Sequence, residues 1–285
     1  MNVKSFFDPD TFTLSYVVFE EGSKDCIIID PVLDYDPNSS STSKESLEKL
    51  YKYLSSQSLS PTHILETHAH ADHLSGAIEI KKRFPEAKLG IGENITKVQD
   101  AFKNVYNLPE EFLTNGSQFD LLFADGELLE TGGLRIEVLH TPGHTPACVS
   151  YLINKEHLFV GDTLFMPDYG TGRCDFPGGS AEDLYTSISA KLYSLPDNTI
   201  VYTGHDYQPE GRELQFKSTI GEQKSKNIQL QSSTSAPEYI EFRKTRDAGL
   251  KTPRLLLPSI QVNIDGGNLP PAEANGKRYL KIPIE

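Results

Sequence analysis

Short apolar runs of strand length alternate with helix-spaced stripes along the first two-thirds of the chain. Residues 12–19 and 26–29 are apolar and β-branched, bounded by Glu20-Glu-Gly-Ser23 and Asp30-Pro31, which predicts two strands. Ser43 offers an N-cap for a helix over about 43–59, with Leu47, Leu50, Tyr51 and Leu54 on one face. Residues 63–66 read as a short strand and 74–84 as the next helix, ended near Pro85. Further short strands are expected at 136–139, 149–153, 157–160 and 199–202, with a helix at 183–193 between the last two.

Candidate ligands stand just past the ends of these strands. Thr67-His68-Ala-His70-Ala-Asp72-His73 follows the strand at 63–66, His144 follows 136–139, Asp162 follows 157–160, and His205 follows 199–202. Four strand ends feeding one site imply strands that lie side by side and share an edge. The interleaved helices then predict an α/β fold of the αββα sandwich type. Beyond Gln215 the chain turns polar, helical and then coil, broken by Pro253, Pro258, Pro270 and Pro271. The expected division is a core over 1–214 and a C-terminal extension over 215–285 packed on it.

Composition narrows the functional classes. The 285 residues are 37% hydrophobic, enough for a sizeable core. No apolar run approaches the roughly 18 residues of a membrane span, so no membrane partner is expected. The N-terminus lacks an apolar signal-peptide region and an Arg-rich transit pattern, which weakens any reading as a secreted β-lactamase. Cys26, Cys148 and Cys174 are an odd, sparse set with no C-x-x-C pair, so a reducing, cytoplasmic setting is expected. The net charge of −13 argues against a nucleic-acid partner. Residues 240–254 nevertheless carry a net +3, either a solvated helix face or an attraction for a small anion.

The histidine cluster points to metal. Side chains two apart in an extended segment share a face, so His68 and His70 can reach one ion. Asp72 and His73, where the next helix begins, point elsewhere, and two half-sites result. An isolated histidine is more often structural; this spacing with three distant partners favours ligation. His63 and His157 lie within strands and read as packing residues, and His140 as structural or supporting. The residues alone leave the metal, the number of ions and the reaction open.

The pattern T-H-x-H-x-D-H with later His144, Asp162 and His205 resembles the metallo-β-lactamase superfamily over most of residues 1–210, which implies the four-layer αββα sandwich. Flavodiiron relatives carry Glu at the position of His70, so the chain does not look like one. All seven superfamily ligand positions are filled: His68, His70, Asp72, His73, His144, Asp162 and His205. The resemblance therefore allows two Zn, Fe or Mn ions bridged by Asp162, with a bridging hydroxide as nucleophile. That is the chemistry of a glyoxalase II-type thioesterase acting on S-acylglutathione.

A second segment favours a different branch. Tyr169-Gly-Thr-Gly-Arg173-Cys174-Asp175-Phe176-Pro-Gly-Gly179 resembles the G-x-G-R-x-D-F-x-x-G segment of the persulfide (sulfur) dioxygenases, whereas glyoxalase II enzymes continue with an aromatic residue and Glu-Gly. The segment from His140 to Tyr151, Leu257-Pro-Ser-Ile-Gln-Val-Asn263 and Asn275-Gly-Lys-Arg-Tyr-Leu-Lys281 look like the same family. One departure is Thr171, where the human-type enzymes have Cys. The resemblance implies one Fe(II) on His68, His144 and Asp162, a facial triad open to a persulfide sulfur and O₂. His70, Asp72, His73 and His205 would then tune and orient that site.

The implied substrate is glutathione persulfide, oxidised with O₂ and water to sulfite and glutathione. Arg173 is the first choice to grip a glutathione carboxylate, or else a loop residue paired with Asp175; Arg212, Arg243, Arg246 and Tyr207 are weaker candidates. Cys174 is a thiol relay or, more simply, a bystander, and Cys26 and Cys148 read as core. The chain has no room for a rhodanese module, so a sulfurtransferase step would need a separate partner. A homodimer is compatible with the resemblance.

Overall fold

The computed structural model of the chain describes residues 1–284. Why apolar runs become strands is clearest in β2, after β1 (Asn2–Asp8). β2 (Thr13–Phe19) is buried throughout, and its alternate side chains face opposite layers. Leu14, Tyr16 and Val18 enter one apolar cluster with Ile27 and Ile29, while Val17 and Phe19 enter another with Cys26 and Ile28. A strand buried on both faces belongs inside a layered fold.

The first sheet has six strands. β1, β2, β3 (Asp25–Ile29), β6 (Ser60–Leu65), β8 (Lys88–Gly92) and β9 (Leu121–Phe123) lie in that spatial order. The second runs β10 (Leu128–Thr131), β11 (Leu134–His140), β12 (Val149–Ile153), β13 (His157–Phe159), β14 (Ile200–Tyr202) and β15 (Lys217–Thr219). A small third sheet joins β5 (Ser41–Ser43), β4 (Val32–Asp36) and β7 (Leu74–Ser75).

The core lies in three slabs. Between the sheets sit Tyr16, Ile29, Phe123, Tyr151, Phe159 and their neighbours. Outside the first sheet, α1 (Glu45–Gln57), α2 (Ala77–Arg83), α3 (Ile95–Val105) and α7 (Leu256–Asn263) supply Leu50, Ile80, Phe102 and Ile260 to one cluster. Outside the second, α4 (Ala181–Thr186), α5 (Ile220–Lys226) and α6 (Ala236–Ala248) supply Leu184, Ile220 and Tyr239 to another. The order helix, sheet, sheet, helix is the αββα sandwich the sequence predicts. Among the described residues no helix is long and apolar enough to cross a membrane.

Several boundaries differ from the pattern-based expectation. Phe12 has a left-handed φ of 61° and precedes β2 rather than joining it. Ser43 ends β5 instead of capping α1, and Asp34 of β4 takes the capping role from a distance, accepting from Ser46 N at 3.0 Å and Ser46 Oγ at 2.6 Å. Leu74 and Ser75 pair with Leu33 and Val32, so α2 starts only after Gly76. The helix expected at 183–193 begins at Ala181, capped by the Ser180 hydroxyl, and widens into a π-turn at Ser187–Lys191. A boundary at 214 would cut β14 from its antiparallel partner β15.

Candidate metal centre

β11 and β13 both run antiparallel to β12, and β14 runs parallel to β13. Their C-terminal ends therefore reach one edge of the second sheet, carrying His144, Asp162 and His205. The sequence placed all four ligand-bearing strands side by side; instead β6, which delivers His68 to His73, comes from the facing sheet. The centre sits in the seam between the two. Val149 N donates to Thr67 O at 2.9 Å, and Leu14 N to Gly204 O at 2.8 Å, closing that seam. Two glycines permit the approach. Gly161 has φ +50° and a Cβ there would lie 2.4 Å from Thr67 Oγ1, while one on Gly172 would lie 2.0 Å from Asp162 O.

Hydrogen bonds fix which ring nitrogen of His68, His70 and His144 is free. The Thr67 hydroxyl donates to Asp30 Oδ2 at 2.8 Å, so its 3.0 Å contact with His68 must be accepted from Nδ1–H. That leaves the His68 Nε2 lone pair bare. His144 donates from Nδ1 to the Arg173 carbonyl at 2.7 Å, which leaves Nε2 facing Asp162 Oδ2 at 3.7 Å. His70 donates from Nε2 to Asp30 Oδ1 at 3.0 Å, with Glu66 Oε2 at 3.3 Å. His205 Nε2 stands 3.3 Å from Asp162 Oδ1 and 3.4 Å from Asp72 Oδ2.

Polar atoms without partners concentrate here. His68 Nε2, His70 Nδ1, His73 Nε2, His205 Nδ1 and Asp162 Oδ1 are all buried and unpaired. Such a concentration is costly unless a cation satisfies it. One ligand atom each from His68, His144 and Asp162 falls within 4.8 Å of the others, and the same holds for His70, Asp72 and His73. Burial drives His68 well below the ordinary histidine pKa, with His70 and His144 adding to the effect, so it is a neutral imidazole suited to ligation. Burial opposes charge on His70, but Asp30 and Glu66 outweigh it and hold its pKa well above the ordinary value. The donor set fits one or two transition-metal ions.

A cleft of about 380 Å³ opens onto the centre. Phe12, Phe165, Tyr169 and Tyr207 form an aromatic wall, with Tyr207 stacked on His205 at 5.5 Å and on Tyr169 at 4.6 Å. Arg246 and Arg254 line the same cleft.

A family model described as the metallo-beta-lactamase superfamily matches residues 8–205. The chain belongs to the metallo-β-lactamase superfamily. A Dictyostelium discoideum protein named glyoxylase B2 is 50% identical over 282 residues, covering 99% of this chain and 96% of its own. The human mitochondrial persulfide dioxygenase ETHE1 is 28% identical over 262 residues, 88% of this chain and 90% of its own. The crystal structure of ETHE1 from Myxococcus xanthus superposes with a TM-score of 0.76 at 29% identity, covering 94% of this chain and 100% of that one.

Within this superfamily fold the arginine candidates separate. Arg243 is fully buried and donates to Thr171 O, Thr171 Oγ1, Gly172 O, Gln229 Oε1 and Asp247, so it cannot meet a substrate. Arg212 is clamped by Asp168 and Asp206 and does not line the cleft. Arg173 lines the cleft, but Asp175 and the Lys251 carbonyl occupy its guanidinium. Its contribution at the centre is its main-chain oxygen. Arg246 approaches only Asp247, at 3.7 Å, and keeps its place in the cleft, as does Tyr207.

Sequence reasoning missed Asp30 and Glu66, met Arg254 only within the positive stretch at 240–254, and met Asn263 only within the tail segment, with no role of its own. Asp30 ends an apolar strand before a proline and reads there as a turn residue; only the fold brings it to His70. Cys174 is half-buried, and burial pushes its thiol pKa up, which does not favour a relay.

Proposed function

We propose that this superfamily member is a persulfide dioxygenase, with one Fe(II) on His68, His144 and Asp162. One contact carries the reading. The loop whose sequence resembles the dioxygenases supplies, through Arg173 O, the acceptor that fixes His144 with Nε2 free. An Fe(II) with three protein ligands on one face would supply the open positions where a persulfide sulfur and O₂ meet.

The substrate is glutathione persulfide. Its outer sulfur is oxidised by four electrons to sulfite and the S–S bond breaks to release glutathione. O₂ is the oxidant, and water supplies the third oxygen. The aromatic wall excludes water from that sulfur, while Arg246 and Arg254 at the mouth attract the carboxylates. His70, held between Asp30 and Glu66, acts as a charged support rather than a ligand in this reading. Three free cysteines fit a reducing compartment such as the cytoplasm, with any sulfurtransferase a separate protein.

A second reading rests on its own observation. Asp162 turns Oδ2 toward His144 and Oδ1 toward His205, and His70, Asp72 and His73 form a second cluster of ligand size. That arrangement suits two bridged ions and thioester hydrolysis, and a 50% identical relative bears the name glyoxylase B2.

One paired experiment separates them. Protein purified anaerobically is expected to hold close to one iron per chain, to consume O₂ with glutathione persulfide, and to leave S-lactoylglutathione almost uncleaved. Two tightly held ions, rapid thioester cleavage and no O₂ uptake would overturn the dioxygenase reading.

A further inference from the structure

We infer that Asn263, the last residue of α7, is a positioning residue of the metal centre. Its Nδ2 donates to the carbonyls of His70 at 2.7 Å and His73 at 2.8 Å, and its Oδ1 accepts from Ser75 N at 2.8 Å. Two carbonyls and one N–H fix the orientation of the amide. A short amide is the side chain that can donate twice and accept once without carrying charge. The side chain is buried, and 188 to 193 residues separate it from its three partners.

The consequence is geometric. Peptide groups are planar, so fixing the carbonyls of His70 and His73 fixes the planes on either side of Ala71-Asp72-His73. The directions of the Asp72 and His73 side chains follow from those planes. A second route runs through Ser75, whose N–H Asn263 holds and whose hydroxyl donates to Glu66, which flanks His70. The opposite end of the same segment, Arg254-Leu255, walls the cleft. The C-terminal segment therefore builds the centre from behind as well as from the front. This holds under either count of metal ions.

The test uses the full chain with Co(II) as probe. Asn263→Asp keeps the shape and the acceptor for Ser75 but sets an oxygen against two carbonyls. Co(II) affinity is expected to fall about 10–100-fold, with shifted ligand-field bands and a native circular-dichroism spectrum. Gln261→Ala is the control. It frees α7 from Lys281, which Gln261 holds through Lys281 O and N at 2.7 and 2.8 Å, but touches no part of the metal loop. It is expected to lower the melting temperature and leave the Co(II) bands in place. Wild-type affinity and bands in Asn263→Asp, or an equal loss in Gln261→Ala, overturns the inference. Should Asn263→Asp not be recovered folded, Asn263→Ser, which keeps a hydroxyl, carries the same two outcomes.

Discussion

Of the arginines that line the cleft, Arg254 is the one most free to meet a ligand. Among the described residues its guanidinium has no hydrogen-bond or ion-pair partner, and it stands where the main cleft meets a neighbouring acidic hollow. Replacing it with alanine is expected to raise KM for an anionic thiol substrate about three- to tenfold while kcat stays within about twofold, since the contact is made equally in ground and transition states. A fall in kcat with unchanged KM would assign it another task. Sequence reading reached the candidate metal ligands one by one but this residue only as part of the positive stretch at 240–254, and the reason is physical. His68 to His73 declare themselves by local spacing, and His144, Asp162 and His205 by their place after strands. An arginine's availability depends on which carboxylates lie beside it in space. Arg173, Arg212 and Arg243 look equivalent to Arg254 in the chain, but all three are already paired, Arg243 is buried and Arg212 stands outside the cleft.

At the scale of elements, α6 acts through one buried cation. Arg243 ties the helix to the loop at Thr171 and Gly172, and Asp247, one turn on, neutralises it and accepts from Cys174 N at 2.7 Å. Arg243→Ala would strand Asp247 and two loop carbonyls in a buried setting. The expected cost is about 3–5 kcal/mol, read from the urea midpoint at constant m-value. A loss below about 1 kcal/mol would mean that water replaces the guanidinium, and the clamp would be incidental. The positive stretch at 240–254 had two readings, a solvated face or an anion site, and the fold distributes it between them and this third role. The buried strands β2, β3 and β12 were legible as apolar runs, whereas β8, with two glycines in five residues, was not. β9, β10 and β15, at sheet edges and only three or four residues long, were not, because an edge strand shows too few apolar positions to set a period.

The whole molecule depends on its last quarter more than a core-plus-extension division implies. Residues after 214 supply the edge strand β15, with Ile220, Leu230 and Tyr239 for one outer slab and Ile260, Val262 and Ile264 for the other. Burying each such side chain contributes roughly 1.5–3 kcal/mol. Six of them, together about 9–18 kcal/mol, are as large as the roughly 5–15 kcal/mol by which a domain exceeds its unfolded state. Removing them also bares the faces of both sheets and the back of the metal loop. A fragment of residues 1–214 is therefore expected to be aggregation-prone. It should lack near-ultraviolet circular dichroism and show no cooperative thermal transition, although it keeps every candidate metal ligand. Calorimetry of the fragment beside the full chain decides the point. A sharp transition within about 5 °C of the parent would show that the first 214 residues fold alone and that the later helices only decorate them.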